Sequence, residues 1–121
     1  MGMFALRGAT TVERNEADAI RDATTALMEA ILDRNGLRPE QVISCVFTAT
    51  HDLDAEFPAA AARAVGFENV PLLCAQEIPV PGSLPRVVRV LLHYHADDGH
   101  SPEHVYLGGA RALRADLHAA Q

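Results

Sequence analysis

EADAIRDATTALMEAILDRNG, running from Glu16 to Gly36, is the stretch on which the fold turns. Within it Ala17, Ile20, Ala23, Thr24, Leu27, Ile31 and Leu32 recur at helical spacing, which predicts an amphipathic helix with one apolar face. Asn15 stands where a cap would, Glu16 and Asp18 lie in the first turn, and Gly36 can end the helix. Such a helix must rest on something, and its flanks say what. Before it, Phe4-Ala-Leu-Arg-Gly-Ala-Thr-Thr-Val12 reads as a strand, with Gly8 marking a bulge or a close approach. After it, Val42-Ile-Ser-Cys-Val-Phe-Thr-Ala-Thr50 reads as a second strand.

Further along, Pro58 suits the first turn of a short Ala-rich helix that reaches about Val65 and ends at Gly66. Its alanines carry so little volume that a neighbour must approach closely or the helix lies near a surface. Val70 to Gln76 is a third strand, whereas the three prolines within Ile78 to Pro85 exclude that segment from a sheet centre. Arg86 to Ala96 is a fourth strand, Asp97-Asp-Gly99 a turn, Ser101-Pro102 a helix start, and Val105 to Leu107 a short last strand. The order β-α-β-α-β-β-β predicts an α+β (mixed α/β) domain with a single mixed five-stranded sheet and two main helices on one face. Ala5, Val46, Leu72, Val88 and Val90 have apolar neighbours on both sides of the pleat. The second sheet face is therefore expected to be buried as well, by another copy of the chain.

The chain has 121 residues and 49% hydrophobic content, enough for the core of one domain. Its formal charge of -6 argues against nucleic acid as a partner. All ten basic residues are Arg, so Schiff-base lysine chemistry is excluded and any anion must be met by guanidinium, His or backbone N–H. Cys45 and Cys74 form no C-x-x-C pair, and no apolar run is long enough to span a bilayer. The expectation is a cytoplasmic protein with reduced thiols, bound to no membrane.

Sequence motifs for dinucleotides, P-loop phosphates, nucleophile elbows and zinc proteases are missing. Among six histidines, His93 and His95 alternate along a strand and His100 and His104 stand four apart, a spacing that permits zinc without specifying it. The sharper feature is arginine inside strands. Arg7 lies between Leu6 and Gly8, and Arg89 between Val88 and Val90, where a guanidinium is costly unless it is paired or faces a cleft. A salt bridge to an acid such as Glu77 would satisfy one of them. With Arg63 on the short helix, however, the embedded cations outnumber the acids, which points to an anionic ligand such as a carboxylate held in bidentate fashion. Cys74 reads as a small buried hydrophobe, Tyr106 as a core ring or a ligand donor, and Phe57 as packing or a cleft wall.

Six segments together resemble the small, single-domain chorismate mutases typified by the Bacillus enzyme. They are Leu6-Arg-Gly-Ala-Thr-Thr-Val-Glu13, Phe47-Thr-Ala-Thr-His-Asp-Leu53, Phe57-Pro-Ala-Ala-Ala-Ala-Arg63, Val70-Pro-Leu-Leu-Cys-Ala-Gln-Glu77, Pro81-Gly-Ser-Leu-Pro-Arg-Val-Val-Arg89, and His104-Val-Tyr-Leu107 with Leu113-Arg-Ala-Asp-Leu117. The resemblance implies conversion of chorismate to prephenate without metal or cofactor, in a homotrimer whose sheets form a barrel-like centre and whose sites lie between subunits. It implies Arg7 and Tyr106 on the side-chain carboxylate of chorismate and Arg89 near that carboxylate and the ether oxygen. Glu77 and the Cys74 region, with Leu73, Ala75 and Gln76, would meet the ring hydroxyl. Phe57 and Arg63 would line the cleft from across an interface, and Leu113 and Arg114 would belong to a mobile C-terminal segment, about residues 108–121, that closes over it.

Two departures stand out. Ala60 replaces a lysine found near the site mouth in some relatives, and Ala115 interrupts the common Leu-Arg-Pro-Asp-Leu tail. Two competing readings are a trimeric imine or enamine deaminase, distinguished by activity on short-lived imines, and a non-catalytic metabolite-binding domain, distinguished by ligand protection without turnover.

Overall fold

Strand β1 (Gly2–Thr11) is the second-to-last strand of a five-stranded sheet in the computed structural model, which describes residues 1–113. Helix α1 (Ala17–Asn35) follows, then β2 (Val42–Ala49), helix α2 (Pro58–Ala62), β3 (Leu72–Gln76), β4 (Val87–Ala96) and β5 (Val105–Leu107). The sheet order is β3-β2-β4-β1-β5. The central β4 runs antiparallel to both β1 and β2, while the outer β3 and β5 are parallel to β2 and β1. The mixed five-stranded sheet with two helices is thus as expected.

The apolar stripe of α1 buries Ile20, Thr24, Leu27, Met28 and Ile31 against the sheet. From the sheet, Leu6, Phe47, Val88, Val90, Leu92 and Tyr94 complete this core, all at most 3% exposed. Ala59 and Ala62 of α2 pack into the same cluster, so the small side chains serve close approach. Gly36 ends α1 in the left-handed conformation, φ 60°. Asn15 does not cap α1. Its side chain instead donates to Asp54 and accepts from the backbone of Asp54 and Ala55, tying the loop before α2 to the start of α1.

Gly8 marks a close approach and no bulge. A Cβ placed there would lie 2.8 Å from Ile31 Cδ1 and 3.2 Å from Leu27 Cδ1 and Val90 Cγ1. Gly8→Ala is therefore expected to destabilise the fold by about 1–3 kcal/mol through overpacking, read as a lower urea midpoint at unchanged slope. An unchanged midpoint would mean that α1 has slack to move.

Two connections fix the strands that carry candidate site residues. Asn35 donates to the Ile31 and Glu103 carbonyls and accepts from the Glu103 N–H, which pins the segment leading into β5. That segment is irregular, so Ser101-Pro102 starts no helix; its backbone is spent on this clasp. Ahead of β4, Arg86 adopts the left-handed region at φ 50°, with its N–H on the Asp52 carboxylate and its Nε on the Val12 carbonyl. Burial works against the Asp52 charge, but hydrogen bonds from the Thr50 hydroxyl and the Arg86 N–H outweigh it and hold the carboxyl below its usual range.

The other sheet face is only partly covered. A small cluster of Ala9, Val87 and Ala110, with Leu84, Tyr106 and Leu113 against it, closes one end. Met3, Leu73 and Leu91 remain 64%, 63% and 38% exposed. Ala5 and Val46 belong to this open face. Leu72, Val88 and Val90 do not; they pack in the core under the helices, because alternation along each strand sends them opposite Leu73, Arg89 and Leu91. No helix among the described residues is long and apolar enough to cross a membrane.

Candidate active site

Sheet register brings together residues that sequence spacing keeps far apart. Tyr106 pairs with Ala9, Ala9 with Arg89, Arg89 with Thr48 and Thr48 with Ala75, so one row crosses all five strands on the open face. The next row holds Arg7, Leu91, Val46 and Leu73. Arg7 and Arg89 are thus diagonal neighbours on adjacent strands, a relation that sets Cα atoms about 7–8 Å apart. Arg7, Thr48, Arg89, Leu91 and Tyr106 line a shared cavity of about 280 Å³.

Arg89 is paired. Its Nε donates to Glu77 Oε2 at 2.9 Å, and the Thr48 hydroxyl donates to the same oxygen at 2.7 Å. The Glu77 N–H also bonds the Ala49 carbonyl at 2.9 Å, which anchors the residue just past the end of β3. Glu77 is 17% exposed and Arg89 41%, so the pair is sheltered on its acidic side and open on its basic side. Among the described residues Arg89 makes no side-chain hydrogen bond beyond the one from Nε. The salt bridge and the cleft position both hold for Arg89: one edge of the fork meets the internal acid, and the guanidinium still lines the cavity.

At Arg7 the backbone N–H donates to His104 Nδ1 at 2.9 Å, where the ring replaces a carbonyl at the start of the β1–β5 ladder. That bond requires a ring nitrogen without a proton. Burial and then the neighbouring Arg7 charge hold the imidazole below its ordinary range. The unfolded chain takes up this proton near pH 6.5 and the folded chain only at lower pH, so the contribution of His104 to stability is lost as pH falls below about 6.5. Asparagine offers an acceptor in the same place and does not titrate. Melting temperatures should therefore fall less from pH 7.5 to 5.5 in His104→Asn than in the parent, and equal falls would remove His104 from the account.

A second cavity, of about 590 Å³, is lined by His51, Glu56, Phe57, Cys74, Ala75 and Gln76, among others. It shares no lining residue with the first. Phe57 stands 69% exposed at it, a large apolar area for a side chain with only a packing role. Burial pushes the Cys45 thiol well up, and Cys74 nearby adds to the effect, so Cys45 offers no thiolate. Cys74 is half-buried against the core.

The structure thus gathers Arg7, Arg89, Glu77 and Tyr106, and separately Phe57, Cys74, Ala75 and Gln76. Arg63 is exposed after α2 and lines neither cavity; Leu73 lies on the open face, and Leu113, like Tyr106, packs against the cluster of Ala9, Val87 and Ala110. Arg114 and Ala115 lie outside the described residues. Of the paired histidines, His100 is bound to Tyr94 and His104 to Arg7, and no three His, Cys, Asp or Glu among the described residues group as a metal site. Sequence reasoning passed over Thr48 and weighed His104 only as a possible zinc ligand. Thr48 matters only through its register with Arg89, and His104 only through a bond to a backbone 97 positions away in sequence.

Comparison with known proteins gives consistent findings. The family model for chorismate mutase type I matches residues 3–117. The chorismate mutase AroH of Thermus thermophilus is 48% identical over 118 residues, 96% of this chain and 97% of the relative. That of Bacillus subtilis is 41% identical over 119 residues, 97% of this chain and 94% of the relative. Among solved structures, a chorismate mutase from Clostridium thermocellum superposes with a TM-score of 0.87 at 47% identity, covering 91% of this chain and 99% of that one.

Proposed function

The chain belongs to the chorismate mutase type I family, and from that premise we propose that it converts chorismate to prephenate, a step towards aromatic amino acids. The conversion is an isomerisation. The ether C–O bond breaks as a C–C bond forms within one molecule, so no proton, electron or group passes to the protein. The protein has two tasks, holding the compact conformer and stabilising the charge that grows on the ether oxygen.

The observation that supports this reading most is Arg89, which lines the first cavity together with Arg7 and Tyr106 and is braced by its ion pair with Glu77. Arg7 and Tyr106 hold the side-chain carboxylate of the substrate. Arg89, braced through Nε, directs its remaining N–H groups at the ether oxygen, where they act more strongly on the transition state than on the ground state. Glu77 keeps Oε1 for the ring hydroxyl, since Oε2 is already occupied by Thr48 and Arg89.

Each chain carries two half-sites. In the proposed homotrimer the open sheet faces, with Met3, Leu73 and Leu91, close on one another, and the Phe57–Cys74 cavity of one copy completes the Arg7–Arg89 cavity of the next. Arg63, exposed on the single chain, then faces the neighbour's substrate. The test is to mix the purified protein with chorismate and follow its ultraviolet absorbance, with prephenate identified as product. Decay that yields one prephenate per chorismate is expected; chorismate left unchanged would refute the reading.

A further inference from the structure

We propose that Thr48 is a positioning residue for this rearrangement, locking one oxygen of Glu77 so that the other is presented to the substrate. The inference rests on the chorismate mutase reading and adds a residue to its machinery. Thr48 stands directly opposite Arg89 in the β2–β4 register, and the two converge on one atom, Glu77 Oε2, at 2.7 and 2.9 Å. Among the described residues Oε1 accepts no hydrogen bond.

The two donors are unequal as supports. Arg89 is long and partly exposed, so alone it would let the ion pair swing as a unit. Thr48 is short and β-branched, with a restricted χ1, and lies near the end of a paired strand. It supplies the fixed post. Rotation about the last Glu77 torsion is broad when unconstrained, and two donors on one oxygen narrow it. The orientation of Oε1, and through Nε that of the Arg89 fork, then depends on a hydroxyl that need not touch the substrate.

Thr48→Val removes the hydroxyl at nearly constant volume. An about tenfold fall in kcat is expected with KM changed less than about twofold, because orientation is lost and binding is largely kept. Thr48→Ser restores the donor and should recover activity to within about twofold of the parent. In a Glu77→Ala background the Thr48→Val change should cost nothing further, since its object is gone. A merely structural threonine would act equally in both backgrounds. Thr48→Ala repeats the cycle if the valine variant fails to fold. A parent that leaves chorismate unchanged overturns the underlying reading and this inference with it. A working parent with an unaffected Thr48→Val variant, failed rescue by serine, or an equal loss in both backgrounds overturns the inference alone.

Discussion

Arg89→Ala is expected to lower kcat by more than about a hundredfold while the fold and assembly stay intact. Removing one pre-positioned donor from a charge-stabilising site costs about 3 kcal/mol, roughly a hundredfold in rate. Here a full positive charge leaves together with the donor. The fold should survive, because Arg89 is 41% exposed and its loss leaves Glu77 Oε2 still bonded to Thr48. Arg89→Lys should stay badly impaired for a geometric reason. Arginine gives Nε to Glu77 and keeps its terminal nitrogens for the substrate, whereas lysine has one nitrogen for both duties. Chorismate turnover by Arg89→Ala within tenfold of the parent, in an intact assembly, would remove Arg89 from the ether oxygen.

Glu77 should separate by the type of replacement. In Glu77→Ala the bonds from Thr48 and Arg89 lose their acceptor, the fork is released, and the ring hydroxyl has no partner. A loss of about a hundredfold in kcat is expected from these combined effects. Glu77→Gln keeps one oxygen for Thr48 and Arg89, so the fork remains braced. It then offers the hydroxyl an N–H in place of an acceptor and removes the negative charge near the electron-poor ring. A loss smaller than that of alanine but still clear is expected. Steady-state kinetics on the two variants decide the matter, and equal activities would show that the brace on Thr48 and Arg89 contributes nothing.

Much of this arrangement is legible in the residues, and what is not has a physical cause. The period of α1, the prolines between residues 78 and 85 and the β-branched runs define every main element, since each is a local preference. Arg7 and Arg89 reveal a cleft because a charge amid apolar strand residues demands a partner. Arg89 also sorts its neighbours between the two sheet faces. An apolar residue next to an arginine in a strand points away from it, so Arg89 on the open face already sends Val88 and Val90 under the helices. Asn15 fails as a cap because a tertiary partner, the Asp54 loop, competes for its amide. Thr48 could not be singled out from spacing. Its importance arises from strand register, which joins residues 41 positions apart and is fixed only once the sheet forms.

Subunit mixing tests most directly whether the two half-sites of different chains make one active site. Arg89→Ala chains and Arg63→Ala chains, each expected to be poorly active alone, are combined in equal amounts, dissociated and reassembled. A site that takes Arg89 from one copy and Arg63 from the next is intact in about one case in four by random assembly. The account predicts chorismate turnover rising to about a quarter of the parent's per site, whereas a mixture no more active than the mean of its two components would contradict it.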